Sequence, residues 1–125
     1  MKRITRNIDL AEARDLLENV PRACLAFTGE QGPQAEPVTV LFEGDRYLVG
    51  IPSSAAGFPA VGDEVVLLVD AGSQFFDLRA VYMRGHVEPM SGIEHLARGF
   101  LWYALQPARA VAWDYGRMRE AEDES

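Results

Sequence analysis

The hydrophobic period changes several times along the chain. After Asp9, with Glu12 three residues on, Leu10, Ala13, Leu16, Leu17 and Val20 recur at helical spacing until Pro21 stops them, which predicts a short amphipathic helix. Residues 23–28 form a compact β-prone run closed by the turn residues 29–33. Residues 34–42 read as a second strand, Gly44-Asp45 as a hairpin turn, and 46–51 as the returning strand. The Ser-, Ala-, Gly- and Pro-rich stretch 52–63 reads as a loop, 64–70 as a fourth strand, and Ala71-Gly72-Ser73 as the next turn. Residues 75–87 are long for one strand, and a bulge or bend near Asp77 would let them serve two neighbours. Ser91 with Glu94 has the form of a capping box, and Ile93, Leu96, Ala97, Phe100, Leu101 and Ala104 fit one helical face, predicting a second helix. Beyond Pro107, bulky Arg109, Val111, Trp113 and Tyr115 alternate with Ala108, Ala110, Ala112 and Asp114 along a last strand.

About six short strands and two helices cannot build βαβ units. The pattern predicts a mainly β (α+β) fold, a six-stranded antiparallel barrel with two short helices, whose closure hides the strand edges. One domain over residues 1–118 is expected, followed by a tail, 119–125, whose Glu120, Glu122, Asp123 and Glu124 make it acidic, solvated and disordered.

Composition narrows the function classes. With 125 residues, 48% hydrophobic and 25% charged, the chain has the make-up of a soluble globular domain. A net charge of −7 without a clustered basic surface argues against nucleic acid. No stretch reaches the length of a membrane span and residues 1–9 hold no signal-peptide core, so a cytoplasmic protein without membrane contact is expected. Cys24 stands alone, which excludes an internal disulfide; inside an apolar run it reads as a small buried hydrophobe. With one Cys and two distant histidines, His86 and His95, a four-ligand metal site is not expected, whereas a single axial ligand to haem stays open. Ser53-Ser54 lies near no His or acid in a nucleophile pattern, and the acids Glu43, Asp45, Asp63 and Glu64 fall at turns, where solvated carboxylates belong. Phe75-Phe76 and Trp102-Tyr103 read as core or interface aromatics. Catalytic residues stay unassigned.

Several segments resemble the pyridoxamine 5'-phosphate oxidase-like, FMN-binding split β-barrel family. The run from Pro33 to Phe42 (PQAEPVTVLF) is similar to its second strand, and residues 46–54 to its third strand and phosphate loop. Residues 80–88 (AVYMRGHVE) are similar to its Gly-terminated strand, and 108–114 to its closing strand with Trp-Asp. The resemblance implies a flavoprotein homodimer whose cofactor, FMN, a deazaflavin or more rarely haem, lies in a groove at the subunit interface. By position it implies Val38, Thr39 and Val40 beside the flavin ring, Ile51, Pro52, Ser53 and Ser54 near the ribityl phosphate, and Trp113 contributed by the second subunit; on the residues alone, Arg84 is open to either the cofactor groove or solvent, and Trp113 equally to a core or interface role.

The chain departs from that pattern where the charge matters. A phosphate dianion needs a cation with fixed donors, and the family's Lys after the loop Ser is replaced here by Ala55, Ala56 and Gly57. Residues 38–42 supply no Arg or Lys either. Backbone N–H groups of residues 53–57, or Arg46, Arg84, Arg109 or Arg117, are the available replacements. Two functions follow from the resemblance: a flavin- or deazaflavin-dependent oxidoreductase acting on a small organic substrate, in which the cofactor supplies the hydride chemistry, or a non-catalytic small-molecule or haem-binding split barrel that has lost the phosphate-binding Lys.

Overall fold

The computed structural model describes residues 3–20, 22–43, 46–117 and 119–121, without the side chains of residues 3, 4, 75 and 119–121. Its strands are β1 (Arg3–Thr5), β2 (Asn7–Ile8), β3 (Ala23–Gly29), β4 (Gly32–Glu43), β5 (Arg46–Pro52), β6 (Glu64–Ala71), β7 (Arg79–Pro89), β8 (Phe100–Asp114) and β9 (Arg119–Ala121). A 3-10 turn at Leu10–Ala13 leads into the α-helix α1 (Arg14–Asn19). Strands β8, β5, β4, β3, β6 and β7 pair in that order, all antiparallel, and β7 returns to β8, so the six-stranded barrel is closed. A seventh strand, β2, joins β8, and β1 pairs separately with β9.

The alternation of the strands fills the barrel. Leu25 and Phe27 on β3, Val65, Leu67 and Val69 on β6, and Val81, Met83 and Val87 on β7 point inward and form one buried cluster. The helix pattern of residues 10–20 serves the same core, for Ala13 and Leu16 are buried in it and Leu17 and Val20 pack against it. Glu12 accepts the Asp9 N–H at 3.1 Å, as the capping pattern requires. Arg79 on β7 then pins the helix to the barrel. Its Nη1 and Nη2 donate to the two oxygens of Asp15 at 2.9 and 2.7 Å, and Nη2 also reaches the Glu12 carbonyl at 3.2 Å. This pair holds the Asp15 carboxyl below its ordinary value.

Strand β8 closes the barrel by changing neighbours. Its residues 100–105 pair with β5, its residues 112–113 with β2, and β7 lies along its other edge throughout 103–114. The change is accompanied by one extra residue: Arg84 faces Arg109 but Gly85 faces Pro107, leaving Ala108 as a bulge. Gly85 is required there, since a Cβ at this position would collide with the Gln106 carbonyl oxygen. The run 75–87 expected as one strand with a bulge or bend near Asp77 is instead a 3-10 turn, Phe75–Asp77, followed by β7.

The second helix expected over residues 93–104 is absent. Residues 90–99 form an irregular segment with left-handed glycines at Gly92 and Gly99 (φ +69° and +88°), and 100–104 begin β8. The apolar spacing has another cause. Segment 90–99 folds over the outside of the barrel, where Met90, Ile93 and Leu96 cover Leu48, Trp102 and Ala104, while Tyr103 and Leu105 face the inner core. A strand buried on both faces loses its period of two. Trp102 Nε1 fastens the cover by donating to the Ala97 carbonyl at 3.1 Å.

The Gly44-Asp45 turn lies outside the described residues, although Glu43 pairs directly with Arg46 across it. Of the tail, Arg119–Ala121 is strand, and residues 122–125 lie outside the described residues. No helix among the described residues is long and apolar enough to cross a membrane.

Two stability outcomes are expected. Gly85→Ala forces the β7–β8 bulge to shift and lowers the unfolding free energy by about 1–3 kcal/mol at unchanged m-value, read by urea denaturation. Arg79→Ala costs about 1 kcal/mol at neutral pH. Because Asp15 is depressed in the folded state, its contribution is present above the unfolded carboxylate value of 3.8 and is lost as pH falls through the lower folded value. The stability gap between wild type and Arg79→Ala should therefore narrow on acidification below pH 3.8.

Candidate functional site

With the interior full, the chemistry-bearing positions are on the outer surface, in two separate faces. The first spans β3, β6, β7 and the second half of β8. Register places Cys24 beside Leu68, Leu68 beside Tyr82 and Tyr82 beside Val111, a row of half-buried apolar side chains across four strands. The next row runs from Asp70 through Ala80 to Trp113. Trp113 stacks on Tyr82 at 6.1 Å between ring centroids and 28° between planes. The Arg6 guanidinium lies 4.4 Å from the Trp113 centroid and 4.9 Å from that of Tyr115. An apolar cleft of about 190 Å³ opens beside Trp113, between Leu68, Leu78, Ala80 and Tyr115. Arg84 stands at the edge of this face, its Nε 3.3 Å from Glu64 Oε1.

The second face belongs to β4, β5 and the first half of β8. Thr39 pairs with Gly50 and Gly50 with Trp102. A Cβ on Gly50 would lie 2.9 Å from both the Thr39 methyl and the Trp102 ring, so glycine is what lets these two flank the strand. Pro52 is half-buried, and Ser53 and Ser54 are exposed at the turn that follows. Of the other residues expected here, Val40 and Ile51 are buried in the barrel core and Val38 packs against it. They shape the wall, while Thr39, Pro52, Ser53 and Ser54 present side chains outside it.

Loop 52–63 is held at several points. Ala55 and Phe58 pack on the core, the Ser53 N–H donates to the Gly99 carbonyl at 2.8 Å, and the Ala55 N–H to the Pro52 carbonyl at 2.9 Å. Two of the backbone donors that might have met an anion are thereby engaged. Gln34 seats its carboxamide against both Gly29 and Gly57, where a Cβ on either would collide with it. The cleft beside it, about 510 Å³, is lined by Glu30, Gln31, Gln34 and residues 56–58, and its one charged residue is an acid. The loop itself contains no cation.

The topology keeps the two faces apart. Within the closed barrel β7 is diametrically opposite β4, with β3 and β6 on one side and β8 and β5 on the other. A single chain does not bring Thr39, Ser53 and Ser54 together with Arg84 and Trp113. Only two chains apposing unlike faces would do so.

The remaining candidates carry little chemistry. Burial, helped by Asp70 and Glu36, pushes the Cys24 thiol up and away from thiolate reactivity. His95 Nε2 lies 2.8 Å from Glu43 Oε1 on the surface, and His86 is exposed on β7. Among the described residues no three His, Cys, Asp or Glu side chains cluster as a metal site would require. Of the suggested replacement cations, Arg84 pairs with Glu64, and Arg117 with Glu12 at 2.7 Å. Arg46 is at the far end of β5, about 20 Å from Pro52 at roughly 3.3 Å per residue. One cation escaped the reading of the sequence. Arg98, placed in a helix by its apolar neighbours, in fact precedes Gly99, the hydrogen-bond partner of Ser53.

No protein-family model and no curated protein matches the sequence. Solved structures do match the fold. The FAD-binding protein of Mycobacterium smegmatis is similar with a TM-score of 0.64 at 14% identity, over 93% of this chain and 99% of its own. A protein of Corynebacterium glutamicum described as a candidate pyridoxamine 5'-phosphate oxidase gives 0.62 at 10% identity, over 87% and 90%. The haem-storage protein of Vibrio cholerae gives 0.61 at 14% identity, over 82% and 92%. The closed six-stranded barrel, its added strand and its short N-terminal helix are therefore those of a split β-barrel, and this chain has the pyridoxamine 5'-phosphate oxidase-like fold.

Proposed function

We propose that the protein is a cytoplasmic homodimer that binds a flavin or deazaflavin between the two unlike faces, Thr39, Pro52, Ser53 and Ser54 from one subunit and Tyr82, Arg84 and Trp113 from the other, and acts as an oxidoreductase on a small organic molecule. The observation that carries this reading is the half-buried apolar row Cys24–Leu68–Tyr82–Val111 beside the Trp113 stack, on the outer side of the barrel. Similarity to proteins whose names record FAD and haem binding supports a planar cofactor at that junction.

A flavin, when bound, supplies hydride transfer. The chain's part is to hold the ring against apolar and aromatic surface and away from water. The ring end fits the residues present. At the phosphate end two exposed hydroxyls are in place, but loop 52–63 brings no cation of its own. This lack favours the second reading, a non-catalytic binder of a small molecule or haem on the same scaffold.

Titration of the purified protein with FMN, a deazaflavin and haem, followed by absorbance, separates the two readings. Saturable perturbation of the flavin or deazaflavin bands at one per chain is expected; a Soret shift with no flavin response would replace the flavin by haem. Leu68→Arg, which places a charge in the outer row without touching the core, should abolish flavin uptake while the far-UV circular dichroism stays that of the wild type. Undiminished uptake in that variant would show that the first face takes no part.

A further inference from the structure

The arginines of this acidic chain are mostly committed. Arg14 pairs with Glu18, Arg22 with Asp70, Arg79 with Asp15, Arg84 with Glu64 and Arg117 with Glu12, and Arg6 lies between Trp113 and Tyr115. Arg46, Arg98 and Arg109 have no acidic partner among the described residues. Arg46 is at the opposite end of β5 from the serine turn, and Arg109 sits on the other face, beside Arg84. Arg98 differs. Pro52 pairs with Phe100, and the hydrogen bond from Ser53 N–H to Gly99 O, 2.8 Å, extends that ladder one step further, so Arg98 directly precedes the residue that Ser53 bonds. All three side chains are exposed.

We propose that Arg98 is the phosphate-binding cation of this protein and forms, with the hydroxyls of Ser53 and Ser54, a site for a terminal phosphate. The inference deepens the flavin reading, on which it rests for the identity of the ligand, and assigns the cofactor as a phosphorylated flavin. The chemistry is that of a guanidinium fork and hydroxyl donors on a dianion. The missing Lys of the loop is then replaced from a neighbouring segment: the left-handed Gly99 (φ +88°) leads into β8, and Arg98 immediately precedes it.

Calorimetric titration of wild type, Arg98→Gln and Arg98→Lys with FMN and with riboflavin, which lacks only the phosphate, tests this. Wild type should hold FMN roughly tenfold or more tighter than riboflavin, the worth of a charge-assisted contact. Arg98→Gln should erase the difference and leave riboflavin affinity unchanged, Arg98→Lys should keep much of it, and Arg46→Gln should behave as wild type. Equal weakening of both ligands by Arg98→Gln, or none, overturns the assignment. Should wild type take up neither flavin, the flavin reading fails, and inorganic phosphate then decides the site. Shifts of the Ser53 and Ser54 amide resonances in wild type that vanish in Arg98→Gln uphold it, and unmoved resonances overturn it.

Discussion

A barrel of six strands must find a sixth pairing that joins its first strand to its last, and here β8 alone makes it. Over its 15 residues β8 is bonded to β5, then to β2, and on its other edge to β7. To turn from one partner to the other it takes up an extra residue at Ala108, and β7 accommodates the turn by having Gly85 where the Gln106 carbonyl approaches. The rest of the structure follows from that closure. The inward residues of β3, β6 and β7 meet in one core, and the outer surface divides into a β4–β5 face and a β6–β7–β8 face. Because β8 contributes to both, Trp102 ends up on one and Trp113 on the other.

This division explains why the fold was legible in the sequence and the site was legible only in part. Strands β3 to β6 have one face inside and one outside, or end at clear turn residues, so their limits could be read to within a residue or two. The first helix was legible because Leu16 and Ala13 meet the core on one side only. At residues 93–104 the same reasoning misled. Trp102 and Ala104 are covered by the 90–99 segment while Tyr103 and Leu105 face the barrel, and apolar residues on both sides of a strand mimic helical spacing. Gly92 and Gly99, both left-handed, were the signal against a helix. The error hid Arg98, since a helical reading gave no reason to place it beside Ser53.

The candidate site residues found from family likeness divide by chemistry. Val38, Val40 and Ile51 are wall residues whose side chains belong to the core, and Thr39, Pro52, Ser53 and Ser54 are surface. Arg84 lies across the barrel from Thr39, and Trp113 lies near the end of β8 remote from Phe100, the partner of Pro52. No pattern along the chain could reveal that separation, which arises from strand order for Arg84 and from the length of β8 for Trp113. It is also the observation that supports the proposed dimer, in which the two groups would come from different copies.

The central claim is thus that the apolar β6–β7–β8 face is covered by a second copy. Sedimentation equilibrium of the wild-type protein at micromolar concentration tests it most directly. A single species of twice the 13.8 kDa chain mass is expected. A monomer at that concentration, with Tyr82 and Trp113 left in water, would contradict it.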